Sequence, residues 1–262
     1  MIKAKKSLGQ NFLIDQNIIE KITNAVDIKG KAILEIGPGT GNLTRSILEK
    51  KPKKVIVIEK DKHLSELLNN DLGSEITILN KDVLKIDENK LNLDVLTVFG
   101  NLPYNISTEI LCKWILNIKN KNFWFEKLVL MFQKEVADRI IAEFNTKNYG
   151  RLSILANWKL DIIKVCDVKA SSFSPKPKID SSVLLMRPNA NFFQLKNPMS
   201  LEKITRIFFM HRRKMLKKPY NKIFNGNLEV SHKHKIDLNL RPQNLNTRTY
   251  FELAREYENL RC

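Results

Sequence analysis

Cysteine is scarce in this chain of 262 residues, and its placement argues against a disulfide-stabilised fold. The three cysteines, Cys112, Cys166 and Cys262, are far apart, and none forms a Cys-x-x-Cys pair. Scattered cysteines in an odd number are typical of free thiols in a reducing cytoplasm. The segment His232-Lys233-His234 resembles a metal-binding pair, but it has no cysteine or acidic partner at a suitable spacing. We therefore expect a cytoplasmic protein without a metal centre.

Long apolar runs are missing as well. No segment is long enough to span a bilayer, and no apolar signal core follows the first four residues. We therefore expect neither membrane insertion nor export. Internal repeats and low-complexity tracts are also absent. Because 43% of the residues are hydrophobic, the chain has enough apolar material for one large domain or two smaller ones.

Negative charge is in deficit. The chain has 45 Lys and Arg residues against 28 Asp and Glu residues, a net charge of +17. This excess indicates a polyanionic partner, either nucleic acid or an anionic membrane surface. Residues 187–262 carry more than half of the excess, which predicts a basic second domain with a phosphate-contacting face. Its densest basic cluster, Arg212-Arg213-Lys214, is predicted to lie on a helix that ends near Pro219 and to contact RNA phosphates.

A glycine-rich turn follows the first strongly apolar run. Residues 32–36 predict a buried strand, Gly37-Pro38-Gly39-Thr40-Gly41 follows directly, and a helix is predicted from Asn42. A strand, a glycine-rich turn and a helix in this order are typical of nucleotide binding, because glycines let backbone N–H groups approach a ligand. The spacing differs from the dinucleotide fingerprint, and the missing Gly-Lys-Ser/Thr excludes a P-loop. The turn alone is weak evidence.

Three further predicted strands each end in a polar side chain. Runs at residues 54–58, 76–79 and 91–99 are followed by Glu59, Asp82 and Asn101. Glu59 lies about 20 residues beyond the glycines, where a carboxylate accepts hydrogen bonds from both ribose hydroxyls. Asp82 is predicted to accept from an adenine amino group. Since ligands bind at the carboxyl ends of such strands, the four features predict one nucleoside-binding crevice rather than a solvated surface.

The segment Asn101-Leu102-Pro103-Tyr104 is predicted to form a rigid loop at the end of the fourth strand. Pro103 fixes its own backbone and moves Leu102 out of the helical region. An amide and an aromatic ring held on such a loop suit a flat, polar, uncharged target such as a nucleobase. Taken alone, the same residues are equally consistent with an ordinary strand-to-helix turn.

Two other segments have both a structural and a functional interpretation. Gln10 and Asn11 lie between apolar neighbours, which indicates either a lid over a ligand (residues 1–28) or a helix entry capped by Asp15. In residues 171–182, prolines alternate with Lys176 and Lys178. This pattern predicts a stiff, exposed, basic loop with Phe173 at its head, where the ring stacks on a base and the lysines meet phosphates. The alternative is a plain edge connection.

The other predicted elements complete an alternating α/β pattern. Further strands are predicted at residues 127–132, 162–168 and 183–186, and further helices from Ser107, at 133–140 and at 152–160.

Five motifs, in chain order, resemble the rRNA adenine N6,N6-dimethyltransferases, most closely the bacterial enzymes that act on the small ribosomal subunit. These motifs occupy residues 7–13, 35–41, 101–108, 133–136 and 173–181. The resemblance runs from about Ser7 to Leu184. It weakens afterwards, since Met215 and Lys217-Lys218-Pro219 depart from the usual continuation of the family's basic helix.

The resemblance implies a fold and a cofactor. Residues 1–186 would form a Rossmann-like class I methyltransferase domain, with helices on both faces of a seven-stranded sheet whose last strand is antiparallel. Residues 187–262 would form a small all-helical domain. The methyl donor would be S-adenosylmethionine. The predicted cofactor contacts are Gln10, Asn11, Leu13, Glu35, Gly37, Gly39, Gly41, Glu59, Lys60, Asp82, Val83 and Asn101.

The resemblance also implies a substrate, two adjacent adenosines in the 3′-terminal hairpin of 16S rRNA. Each would receive two methyl groups within the 30S subunit or its precursor, from an enzyme expected to be a monomer. The Asn101 side-chain oxygen and the Leu102 carbonyl would accept the amino hydrogens of an extruded adenine. Pro103 would hold the loop rigid, and the Tyr104 and Phe173 rings would stack on the base.

Three alternatives remain open at this point. A 23S rRNA adenine methyltransferase of the antibiotic-resistance type shares the fold and an Asn-x-Pro-Tyr loop. A non-catalytic RNA-binding assembly factor on the same scaffold would have lost the cofactor crevice, but Glu59, Asp82 and Asn101 are present. A DNA adenine methyltransferase usually has Asp-Pro-Pro-Tyr in the loop.

Overall fold

The computed structural model describes residues 4–5, 9–91, 95–118 and 121–260. Several predicted features lie outside these ranges. They are the start of the predicted lid, Ser7 and Leu8 of the first motif, residues 92–94 of the predicted fourth strand, and Cys262.

A seven-stranded mixed sheet forms the centre of the fold, with the order β4-β3-β2-β5-β6-β9-β7. The pairs β2–β3, β2–β5, β3–β4 and β5–β6 are parallel, and β6–β9 is antiparallel. The strands of the described residues are Phe12–Leu13 (β1), Ala32–Ile36 (β2), Lys54–Ile58 (β3), Thr77–Leu79 (β4), Leu96–Asn101 (β5), Phe125–Gln133 (β6), Leu160–Val168 (β7), Phe173–Ser174 (β8) and Ser181–Pro188 (β9). The predicted Rossmann-like sheet with an antiparallel last strand is confirmed.

The central strands are buried because helices cover the sheet. All five residues of β2 are buried, as are the last four of β3, which explains why both are nearly continuous apolar runs. The predicted fourth strand begins too early in the sequence. Leu91 ends a 3₁₀ turn, Glu88–Leu91, and β5 starts only at Leu96.

Ten α-helices lie in the described part of the chain. They are Gln16–Thr23 (α1), Asn42–Glu49 (α2), Lys62–Leu72 (α3), Ser107–Asn117 (α4), Lys134–Ile140 (α5), Arg151–Lys159 (α6), Pro198–Phe209 (α7), Lys217–Phe224 (α8), Glu229–Lys233 (α9) and Thr247–Asn259 (α10). Asp15 caps α1, as predicted, by accepting a hydrogen bond from the Ile18 N–H at 3.3 Å. In the residues that the structure describes, no helix is both long and apolar enough to cross a membrane.

The chain divides into two compact units. The first comprises the described residues of Met1–Lys113, Ile118–Ala137 and Asp161–Pro188, and the second those of Trp114–Asn117, Asp138–Leu160 and Asn189–Cys262. The sequence predicted a single division at residues 186 and 187. Residues 138–160 group with the second unit instead, because α6 packs against α7 and α10.

The second unit is helical, but its basic cluster does not lie on a helix. α7 ends at Phe209, and Arg212-Arg213-Lys214 occupies the turn before α8. Pro219 is the third residue of α8, where the missing N–H removes no intrahelical hydrogen bond. The predicted helix that carries the cluster and ends near Pro219 is therefore wrong.

Candidate active site

A cleft opens at the carboxyl ends of β2, β3, β4 and β5. Polar residues from all four strand ends line it, together with residues 9–13 of the amino-terminal segment. The predicted site residues that line the cleft are Gln10, Asn11, Leu13, Glu35, Gly37, Gly39, Glu59, Lys60, Asp82, Val83, Asn101, Leu102, Pro103 and Tyr104. Gly41 and Phe173 are not among its lining residues.

The glycine turn lines the cleft with backbone that carries no side chain at Gly37 and Gly39. Gly37 and Gly39 have φ values of +66° and +59°, in the left-handed region that favours glycine. A Cβ on Gly39 would lie 2.9 Å from Cδ1 of Phe12. Gly41 has a different task, since a Cβ there would lie 2.8 Å from Cδ2 of Leu68. Gly41 therefore allows close packing at the start of α2, and its contact with the cofactor stays a prediction.

Glu59 is fixed by backbone donors from two sides. Its Oε2 accepts a hydrogen bond from the Gly39 N–H at 3.3 Å, and its Oε1 accepts one from the Asp61 N–H at 2.8 Å. The side chain is buried, and this burial raises the pKa of its carboxyl group. The glycine turn and the acidic residue after β3 thus form one hydrogen-bonded wall of the cleft.

Glu35 is a buried carboxyl group in the same wall. Burial, together with the negative charge of Glu59, raises the pKa of Glu35 to about 7. Its Oε2 atom has no hydrogen-bond partner within the described residues. Buried polar atoms are normally paired, so an unpaired oxygen of this carboxyl group beside a cleft fits a site that binds a polar ligand.

Asp82 and Lys60 form an ion pair at the cleft. Lys60 Nζ lies 2.9 Å from Asp82 Oδ2, while Asp82 Oδ1 accepts a hydrogen bond from the Leu84 N–H at 3.0 Å. The hydrogen bond from Lys60 holds the pKa of Asp82 below its usual value. Asp82 is therefore an oriented carboxylate, and buried Val83 follows it in a 3₁₀ turn.

The amino-terminal segment is tied to the cleft through its side chains and its backbone. Lys5 Nζ lies 2.8 Å from Asp61 Oδ1, and Gln10 Nε2 donates to Asp61 Oδ2 at 3.1 Å. The Leu13 carbonyl accepts from Asn42 Nδ2 at 2.8 Å. Gln10, predicted to contact the cofactor, thus bonds to Asp61.

Asn101 has a defined amide orientation. Its Nδ2 donates to the carbonyl oxygen of Asn11 at 2.9 Å, which leaves Oδ1 as the acceptor of this side chain. Leu102 is buried, and a Cβ on Gly100 would lie 2.9 Å from its Cδ2, so Gly100 makes room for the Leu102 side chain. The loop is therefore held by the hydrogen bond of Asn101 and by the packing of Leu102 against Gly100.

Tyr104 is held at its hydroxyl group. The Tyr104 hydroxyl and Ser181 Oγ are 2.7 Å apart, and burial raises the pKa of the Tyr104 phenol. The phenol is therefore neutral at physiological pH, with its ring at the cleft.

Phe173 does not lie at the head of an exposed loop. It forms β8, which pairs with β1 so that Phe173 is opposite Leu13. The residue is only 3% exposed and belongs to the apolar core of the first unit. The prediction of an exposed stacking ring is wrong for this structure, because the strand pairing turns Phe173 into the core. Lys176 and Lys178 in the following residues are exposed, as predicted.

Sequence reasoning missed Phe12 as a lining residue. It is half-buried, lies against Gly39 and lines the cleft. The only signal in the sequence was its position between Asn11 and Leu13, two residues that are predicted to contact the cofactor.

The residues of the basic cluster in the second unit differ in their contacts. Arg212 donates to the Lys147 carbonyl at 2.7 Å and to Gln243 Oε1 at 3.0 Å, so its guanidinium holds neighbouring loops together. Arg213 and Lys214 are exposed. Among the described residues, no group of three His, Cys, Asp or Glu side chains is arranged to hold a metal ion.

Comparisons with known proteins agree with this geometry. The family model "Ribosomal RNA adenine dimethylase" matches residues 1–259. The chain is similar to "Ribosomal RNA small subunit methyltransferase A" of Pelagibacter ubique (strain HTCC1062), with 64% identity over 260 residues and 99% of each chain covered.

Two solved structures are similar in fold. A dimethyladenosine transferase from Plasmodium falciparum has a TM-score of 0.80 and 28% identity, over 95% of this chain and 98% of that one. The 23S rRNA methyltransferase ErmE has a TM-score of 0.68 and 21% identity, over 95% and 100%, a similarity that shows the fold alone. The chain belongs to the ribosomal RNA adenine dimethylase family.

Proposed function

We propose that this protein transfers methyl groups from S-adenosylmethionine to N6 of two adjacent adenosines in the 3′-terminal hairpin of 16S rRNA. Each adenosine becomes N6,N6-dimethyladenosine, within the 30S subunit or its precursor. The single observation that carries the proposal is the anchored Asn101 amide, which lies in a cleft built from four strand ends.

The chemistry of the cleft fits S-adenosylmethionine. The cofactor supplies an electrophilic methyl group when it is bound. Glu59 would accept hydrogen bonds from the ribose hydroxyls, and Asp82 from the adenine amino group. Glu35, whose Oε2 lacks a partner among the described residues, suits a polar group of a ligand.

The loop of Asn101 to Tyr104 would orient the target adenine. Its exocyclic nitrogen is a weak nucleophile, because the lone pair is delocalised into the ring. Acceptance of the amino hydrogens by Asn101 Oδ1 and the Leu102 carbonyl would draw that nitrogen toward a pyramidal geometry and aim its lone pair at the methyl group. The Tyr104 ring would stack on the extruded base. The proton is then released to solvent.

Contacts to rRNA would come from exposed cations. Lys176 and Lys178 in the first unit and Arg213 and Lys214 in the second are exposed and suit phosphates. Arg212 would act mainly by shaping the turn, since its guanidinium is already hydrogen-bonded. We also propose that the protein works as a cytoplasmic monomer.

The alternative activity on 23S rRNA is less well supported. The chain is 64% identical to a protein named for the small subunit, whereas its 21% identity to ErmE concerns the fold alone. A non-catalytic assembly role would not need the predicted cofactor contacts, and all of these except Gly41 line the cleft.

The test is a methylation assay with three substrates: immature 30S particles that lack the modification, mature methylated 30S subunits and naked 23S rRNA. Each receives wild-type protein and isotope-labelled S-adenosylmethionine, and digested RNA is analysed by mass spectrometry. We expect isotope-labelled N6,N6-dimethyladenosine only in 16S rRNA of the immature particles. Product in 23S rRNA, or none in any substrate, would contradict the proposal. Asn101→Ala controls for a contaminating methyltransferase.

A further inference from the structure

The Tyr104 hydroxyl is bonded to a residue that the reaction scheme above does not use. Ser181 lies at the start of β9, is fully buried, and places its Oγ 2.7 Å from that hydroxyl. The two residues are 77 positions apart in the sequence. One hydroxyl donates to the other in this contact, and burial makes its loss costly.

Ser181 belongs to a rigid strand end. It pairs with Gln133 in the antiparallel register of β6 and β9. The preceding residue, Asp180, accepts from the Lys134 N–H through its carbonyl at 3.0 Å and from the Ala170 N–H through its side chain at 2.9 Å. A hydroxyl placed here has little freedom to move.

The next residue is fixed as well, but on the opposite side of the strand. Ser182 Oγ donates to Asp167 Oδ1 at 2.6 Å. Asp167 also accepts from Lys134 Nζ and from Lys164 Nζ, both at 2.9 Å. Because successive side chains of a strand point to opposite faces, only the first of the two serines reaches Tyr104.

Among the described residues, the other hydrogen bond given for Tyr104 involves its backbone, since its carbonyl accepts from Ser107 Oγ at 3.3 Å. The hydroxyl bond therefore sets where the far end of the ring lies. A ring that stacks on a base must keep one position and one orientation in the cleft. A small displacement of the base would move its nitrogen out of line with the methyl group.

We infer that Ser181 is a positioning residue for methyl transfer, which fixes the Tyr104 ring as the platform for the target adenine. This role rests on the proposed function, since it needs an adenine in the cleft. Ser181 itself contacts neither the base nor the cofactor in this role.

The experiment is a double-mutant cycle with a matched control. Ser181→Ala and Tyr104→Phe each remove the same hydrogen bond, one by deleting each partner's hydroxyl group. The combined variant loses that same bond and no second one. We expect each single variant to lower kcat about tenfold, and the combined variant to lower it about tenfold rather than about a hundredfold. Calorimetric affinity for S-adenosylhomocysteine should stay within about twofold of wild type in all three.

Ser182→Ala is the control, because it removes a buried hydroxyl from the next position of the same strand without touching Tyr104. It should keep near wild-type kcat. Multiplicative losses, a wild-type rate for Ser181→Ala, or an equal loss in Ser182→Ala would overturn the inference. If Ser181→Ala does not fold, Tyr104→Phe alone decides, and its wild-type rate would refute the role. An inactive wild-type protein in the same assay would instead refute the proposed function.

Discussion

Substitution of Asn101 by aspartate separates the two tasks of its side chain. In the structure, Nδ2 donates to the Asn11 carbonyl at 2.9 Å, and Oδ1 is the acceptor assigned to the adenine amino group. Asn101→Asp keeps the shape and the acceptor but replaces the donor by a second oxygen. The introduced carboxylate would face the Asn11 carbonyl, oxygen against oxygen.

The size of the effect follows from the lost bond. A buried group left without its partner costs ~1–3 kcal/mol. If that cost appears in the transition state, methyl transfer slows by roughly 5- to 150-fold. Asn101→Ala removes donor and acceptor together. Loss of a pre-organised electrostatic contact adds on the order of a hundredfold or more, so the alanine variant should be slower by orders of magnitude.

The assay is single-turnover methyl transfer to unmethylated 30S particles, with cofactor affinity measured separately by calorimetry. We expect the order wild type, Asn101→Asp, Asn101→Ala, with cofactor binding weakened but measurable in the alanine variant. Near-normal turnover of Asn101→Asp would refute the anchoring bond. Equal rates for the two variants would refute a separate acceptor role, and near-normal turnover of Asn101→Ala would refute both.

Three further perturbations test other parts of the site. Glu59→Gln should weaken cofactor binding by about tenfold, since the amide keeps only one of the two acceptor oxygens offered to the ribose hydroxyls. Unchanged calorimetric affinity would remove Glu59 from the ribose. The pKa of Glu35 is about 7 in the folded state, against an ordinary value of 4.5. Between these two pH values the folded protein holds a proton that unfolding releases, so the free energy of unfolding falls as the pH rises. Glu35→Gln should remove that fall, as measured by urea unfolding at about pH 5 and about pH 7.5, and an unchanged pH dependence would contradict the buried proton. Charge reversal at both Arg213 and Lys214 should reduce the salt dependence of RNA binding by a slope of about 2, whereas Arg212→Ala should mainly lower the thermal unfolding temperature. An unchanged slope would remove this turn from the RNA-binding surface.

Local patterns predicted much of the fold and most of the cleft. The strands β2 and β3 were placed to the residue because each is a short apolar run bounded by turn residues or charges. The basic turn was misplaced for an equally local reason, since the apolar spacing continues past Phe209, where α7 ends. The start of β5 was misplaced because Leu91 extends the apolar run without joining the sheet.

The sequence by itself determined the chemistry at the strand ends. The glycine turn and Glu59 directly follow strands, Asp82 lies three residues after β4, and Asn101 ends β5. Parallel strands bring their carboxyl ends to one edge. Chain order is therefore enough to predict that these groups share a cleft.

Only the tertiary structure decided which partners fix these groups. Asn101 meets Asn11 across 90 positions and Tyr104 meets Ser181 across 77, and no periodicity encodes such pairs. The pairing of β1 with β8 likewise buried Phe173, although its local sequence is that of an exposed loop. The physical reason is that side-chain hydrogen bonds and edge pairings depend on where distant segments pack, whereas strand ends and turns depend on the residues beside them.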